Sequence, residues 1–193
     1  MDNNQRKLLS GPVYIDTKPN HLFSAEVAQK SHVDFNLCYH CRCCGNGCPF
    51  VEMMDFPPNS IIRLVQLGLK KEALGSSTIW ICAGCHTCSM QCPMAIDMAA
   101  IMDSLRQISL EEKAKIGEPD VLAFHKEVLN SIERYGRTSK LDIMLRYKIK
   151  TRNLFSDFNV GLKMITKRKL NLIPSIIKGI EKFKELFKGK RNW

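Results

Sequence analysis

Cys38-Tyr39-His40-Cys41-Arg42-Cys43-Cys44-Gly45-Asn46-Gly47-Cys48-Pro49 and Cys82-Ala83-Gly84-Cys85-His86-Thr87-Cys88-Ser89-Met90-Gln91-Cys92-Pro93 are two copies of one pattern, C-x2-C-x2-C-x3-C-P. They take up eight of the nine cysteines in a chain of 193 residues. A constant offset of 44 residues superposes them, with Pro49 on Pro93 and Leu37 on Ile81. Such repetition suggests a pseudo-symmetric core in which neither half closes its site alone. Cys43 falls opposite Thr87 and reads as a spare thiol outside the ligand set, although the spacing leaves open that it replaces Cys44.

The run is the one by which paired 4Fe-4S clusters are held in bacterial-type ferredoxins, so the first functional expectation is electron transfer. Three thiolates two residues apart let a tight loop occupy three corners of a cubane, and the fourth corner needs a more distant ligand. In two-cluster ferredoxins the last Cys of each run serves the other cluster. That rule predicts one cluster on Cys38, Cys41, Cys44 and Cys92, and another on Cys82, Cys85, Cys88 and Cys48. Proline lacks a donor and presets a helical φ, so Pro49 and Pro93 are expected to start helices leaving the clusters. Zinc also uses C-x2-C pairs, but a closed tetrahedral site needs neither a third Cys at the same spacing nor the Cys-Pro ending. Met1 to Ser10 contain no long apolar region of a secretory signal. The expected setting is therefore a reducing cytoplasm, where such spacing means metal more often than cross-links.

The balance of 29 basic and 19 acidic residues gives a formal charge of +10. Eight ligating thiolates outweigh the iron-sulfide cores by about two charges per cluster, which leaves roughly +6 in the loaded form. The excess is concentrated in a cationic tail from Lys163 to Lys190. A nucleic-acid role is disfavoured, because aromatic residues are not interleaved with the basic ones as a stacking groove requires.

The rest of the chain reads as helices, with no strand-like alternation and no apolar run near the ~18 residues that cross a bilayer. Residues 1–34 are expected as a polar arm lying on another surface, with a short helix near Ser24 to Lys30. Between the cysteine runs, Pro57-Pro58-Asn59-Ser60 introduces a helix carrying Ile61, Ile62, Leu64, Val65, Leu67 and Leu69 and ending near Gly75. After Pro93, Met98, Ile101, Met102, Leu105 and Ile108 form an apolar helical face. Pro119 opens a helix whose apolar residues Val121, Phe124, Val128, Ile132 and Tyr135 precede Gly136, and Leu141, Met144, Leu145 and Ile149 suggest another. Beyond Pro174, Ile176, Ile177, Ile180, Phe183, Leu186 and Phe187 alternate with Lys178, Lys182, Lys184 and Lys188 in a basic amphipathic helix. This tail is expected to dock partner subunits, with completion of the core and membrane-surface attachment as alternatives.

The doubled runs with a helical insert resemble the α-helical ferredoxin domain, over about residues 35–112. The size, N-terminal arm and basic helical tail (113–193) are similar to the C subunits of soluble heterodisulfide reductases of methanogens. The resemblance implies an all-α fold with two 4Fe-4S clusters and a relay. Electrons would enter from an A subunit that contains flavin and leave to a B subunit, which is catalytic and reduces the coenzyme M-coenzyme B heterodisulfide. A relay component of another oxidoreductase using the same domain is the alternative.

No G-x-G-x-x-G or Walker loop, plant-type C-x4-C-x2-C segment or acid-base set is present, so no catalytic residue is expected. Cys43-Cys44-Gly45 lies inside a ferredoxin run and is not a catalytic CCG motif. His40 and His86 sit in the cysteine loops, as exposed loop polarity or as partners of sulfur. The amides of Gly45, Gly47 and Gly84 are expected either to approach the sulfides or to serve tight turns.

Overall fold

Met98, Ile101, Met102, Leu105 and Ile108 repeat at the steps that keep residues on one side of a helix, and each is at most 2% exposed. Around that stripe the N-terminal part of the chain is assembled. The computed structural model describes residues 19–151, 177 and 179–185. Along the chain run α1 (His21–Ser31), α2 (Cys43–Asn46), α3 (Pro58–Gln66), α4 (Lys70–Gly75), α5 (Thr78–Ile81), α6 (Thr87–Met90), α7 (Met98–Glu111), α8 (Pro119–Tyr135), α9 (Lys140–Thr151) and α10 (Ile180–Glu185). Single 3-10 turns lie at Phe35–Leu37 and Val51–Met53. Among the described residues there is no strand, and the fold is all-α. The chain divides into two compact units, Met1–Glu118 and Pro119–Trp193.

In the first unit α7 is the hub, packed against α1, α4, α5 and α6, while α2 lies against α6 and α3. Asp97 caps the start of α7 by accepting from the amides of Ala99 and Ala100 at 3.0 and 3.3 Å. Within residues 1–34, the short helix expected near Ser24 to Lys30 is the longer α1, which buries Phe23 and Val27 completely and packs on α7 and α3. Its two core residues are separated by four positions within a polar segment, too sparse a stripe to stand out. Lys70 ties α1 to α4 through Glu26 at 3.2 Å and lies 5.4 Å from the Phe23 ring centre. The helix foreseen between the cysteine runs is two helices, α3 and α4. Gly68 breaks it with φ of 68°, and its carbonyl accepts from the Asn20 amide at 2.9 Å. A Cβ there would stand 2.6 Å from the Asn20 carbonyl oxygen, so glycine is required twice over.

Pro49 and Pro93 do not open helices. Both stand in turns closed by Val51 N–H to Cys48 O at 3.3 Å and Ala95 N–H to Cys92 O at 3.0 Å. The two turns are again matched across the repeat.

In the second unit α8 begins at Pro119 and ends before Gly136, whose φ is 74°. Its buried positions are Glu127 and Ser131 rather than the foreseen apolar face, and Phe124 is 43% exposed. The reason lies in α9, from which Lys150 pairs with Glu127 while Asp142 pairs with Arg134. Of the basic tail, Ile177 and α10 are described. Ile176, Lys178, Leu186, Phe187 and Lys188, the side chains of Lys182 and Phe183, and residues 1–18 lie outside the described residues.

Asp55, from the turn after the first cysteine run, fixes the start of the second half. Its carboxylate accepts from Ser76 Oγ at 2.6 Å, Thr78 Oγ1 at 2.7 Å and the amides of Ser77 and Thr78 at 2.9 and 3.1 Å. Burial acts to raise its pKa, but these donors outweigh burial and hold it below the usual carboxylate value. A depressed folded pKa gives stability that is present above the unfolded carboxylate value of about 3.9 and is lost as pH falls through the folded one. Asp55→Ala should therefore cost about 1–3 kcal/mol in denaturant unfolding at neutral pH. The difference from the parent chain should shrink on acidification.

Candidate metal centre

The two cysteine loops share a backbone shape that their sequences only partly reveal. His40 and Gly84, at matched positions, have φ of 59° and 63°, and Arg42 and His86 have 67° and 57°. Three of these four are not glycine, at a cost of about 1–3 kcal/mol each, and such strain is characteristic of loops shaped around a bound group. Each loop then enters a one-turn helix, α2 or α6, which places the third cysteine, Cys44 or Cys88, at its second residue.

Two small cavities lie beside these loops. Cys82, Cys85 and Cys88 line one together with Cys48 from the other run. Cys38, Cys41 and Cys44 line the second together with Cys92, and Cys43 and Cys88 also reach it. The walls are otherwise largely apolar, with Pro58 and Met102 in one, Ile62 and Ile96 in the other, and Met98 in both. Soft thiol donors on an apolar wall suit an iron-sulfur cluster.

The thiols are electrostatically unequal. Burial, then the neighbouring Cys88 and Cys38, push Cys44 up to about 11. Burial and then Cys82 raise Cys88 in the same way. Both thiols are half-buried and hold their protons more tightly than a free thiol does. Cys41 is lowered instead, first by the Cys43 amide and then by the Cys43 thiol. Cys85 is lowered by the Thr87 hydroxyl, whose oxygen is 3.4 Å from its sulfur, and by the Thr87 amide. Cys43 and Thr87 thus act alike at matched places: each lowers the middle cysteine of its loop.

Around the loops, His40 Nδ1 is 3.9 Å from Cys38 Sγ, and His40 Nε2 donates to Gln66 Oε1 at 3.0 Å. Gln66 is oriented by donating its own amide to the Phe35 carbonyl at 3.0 Å. His86 Nδ1 lies 3.5 Å from Asp97 Oδ1 instead of at a sulfur. The amide of Gly47 donates to the Cys43 carbonyl, and a Cβ on Gly47 would collide with Gln91 at 1.8 Å, so the close approach there is to Gln91. Gly84 meets nothing within 4 Å and is suited to its positive φ. The Gly45 amide donates to Arg42 O and also lowers Cys44. Sequence reasoning missed Gln66, Asp97 and Thr87. Only Asp97, a capping residue before an apolar run, carried a local signal.

Residues 34–96 match the family model of the 4Fe-4S dicluster domain. The site is therefore that of a helical iron-sulfur protein with two 4Fe-4S clusters and an electron-transfer role. The chain is similar to proteins named as C subunits of heterodisulfide reductases. One is the C subunit of the H(2):CoB-CoM heterodisulfide,ferredoxin reductase of Methanothermobacter marburgensis, 26% identical over 95 residues that cover 49% of each chain. Another is the C subunit of the ferredoxin:CoB-CoM heterodisulfide reductase of Methanosarcina acetivorans, 29% identical over 109 residues, 54% of this chain and 42% of the relative. A third, from Archaeoglobus profundus, is named as a protein like the C subunit of heterodisulfide reductase and is 30% identical over 100 residues, 51% of this chain and 50% of the relative. The chain spans about half the length of these relatives.

Cys43→Thr, which copies the matched residue of the second loop, should keep the full complement of about eight irons. Cys44→Ala should lose roughly half of it. Iron and sulfide counts on anaerobically purified protein measure both.

Proposed function

We propose that this chain is the electron-relay component of a heterodisulfide reductase, passing single electrons from an A subunit that contains flavin to a B subunit that is catalytic, in the cytoplasm. The first cluster is held by Cys38, Cys41, Cys44 and Cys92, and the second by Cys82, Cys85, Cys88 and Cys48. The observation that carries this reading is that each cavity is lined by the first three cysteines of one run and the last cysteine of the other, with Cys43 and Cys88 also reaching the cavity of the first run. When bound, each cluster supplies one-electron chemistry without bond changes in the protein. The chain's own part is to fix distance, exclude water and present donors to sulfur. Cys88 and Met98 line both cavities, so one layer of side chains separates the two sites. The Cys43 and Thr87 donors, each on a middle cysteine, favour charge on those sulfurs.

Residues 35–112 form the ferredoxin domain in this reading, and 113–193 dock the neighbouring subunits. Leu145 and Ile149, one turn apart on α9, are 63% and 59% exposed, an apolar surface suited to a fixed neighbour. No helix among the described residues is long and apolar enough to cross a membrane.

Cys92→Ser should damage the first cluster although it lies in the second run. EPR showing damage confined to the second cluster would overturn the crossed ligation. Leu145→Glu with Ile149→Glu should leave about eight irons in place while abolishing copurification with a flavoprotein and a heterodisulfide-reducing protein. Retained assembly would remove α9 from the docking surface.

A further inference from the structure

The repeat extends past the cysteines to the carbonyls three residues ahead of each run. Phe35 and Ile79 are matched by the same 44-residue offset. Each of these carbonyls accepts a hydrogen bond from a side chain on the helix that follows its own cysteine run: Gln66 at the end of α3 serves Phe35, and Arg106 on α7 serves Ile79. The chemistry differs between the halves. Gln66 is neutral and hands its other end to His40. Arg106 is a cation, and it reaches three residues further along the chain, to the first cysteine of the run, by also donating from its second nitrogen to the Cys82 carbonyl.

Cys82 ends α5, a helix of one turn whose carbonyls have no following turn to bind them. The guanidinium fork closes that end. Both hydrogen bonds go to backbone carbonyls rather than to a carboxylate, so the positive charge is not cancelled by a paired anion at this place. Arg106 is half-buried on the central helix, where water screens a charge less than on the surface. A cluster bound through Cys82 becomes more negative on accepting an electron, and a fixed cation one residue's backbone away stabilises that form over the oxidised one.

We propose that Arg106 is a positioning residue for the second cluster, fixing the Cys82 backbone and raising that cluster's reduction potential, a role Gln66 fills for the first cluster without the charge. The proposal rests on the cluster assignment above. If the unmodified protein does not carry two reducible clusters, that assignment fails before Arg106 is varied.

The test is a redox titration of the intact holoprotein followed by EPR, with the two signals assigned through Cys38→Ser and Cys82→Ser. In Arg106→Gln, the reduced-to-oxidised ratio of the second cluster at fixed applied potential should fall about tenfold, equivalent to about 59 mV for one electron. The first cluster should titrate as in the parent. An unchanged second cluster, or equal shifts in both, overturns the proposal. If Arg106→Gln loses the second cluster, Arg106→Lys decides: recovery of that cluster within about threefold of the parent ratio, roughly half the voltage of a tenfold change, supports a charge effect. Failure of Lys to restore it overturns that effect.

Discussion

A cubane has four corners and a C-x2-C-x2-C loop reaches three, so the fourth thiol has to come from a distant part of the chain. Most of the first unit can be understood as the means of meeting that requirement twice. The loops are bent by matched left-handed residues, His40 with Gly84 and Arg42 with His86. Their one-turn helices α2 and α6 lie against each other, which carries Cys48 and Cys92 across to the opposite cavity. Short helices have little stability of their own. Here α6 is held by α7 and α2 by α3, while the buried stripe of α7 also gathers α1, α4 and α5. The apolar core and the sulfur-lined cavities are therefore one construction, with Met98 and Met102 belonging to both.

Polar side chains fasten the loops to that core at a few points. Asp55 links the end of the first half to the start of α5, and Asp97 caps α7 while accepting from Ser89 Oγ of the second loop at 3.1 Å. Gln66 and Arg106 bind the carbonyls ahead of the two runs. Each connects a loop that carries little hydrophobic surface to an element that carries much. The strain of the left-handed residues is sustained by this over-determination.

The cluster chemistry was legible because ligand spacing is a local property, written directly in residue order. So was the α7 stripe, whose period of three and four leaves no alternative to a helix with one buried side. The break at Gly68 was not legible, because glycine is tolerated inside helices and its reason lies in the remote backbone of Asn20. The depth of α1 escaped for a similar reason: Phe23 and Val27 are two residues in a polar stretch, and only their tertiary neighbours reveal them as core. On α8 a regular apolar period pointed to the wrong side, since burial there is decided by the Glu127 and Lys150 pair. Cys43 is spare by elimination in the sequence, and its relation to Thr87 emerges only from what both side chains touch.

Cys88 and Met98 form a party wall between the two compartments. A change of side-chain volume at Met98 would for that reason be felt in both compartments at once, because the packing that shapes one is the packing that shapes the other.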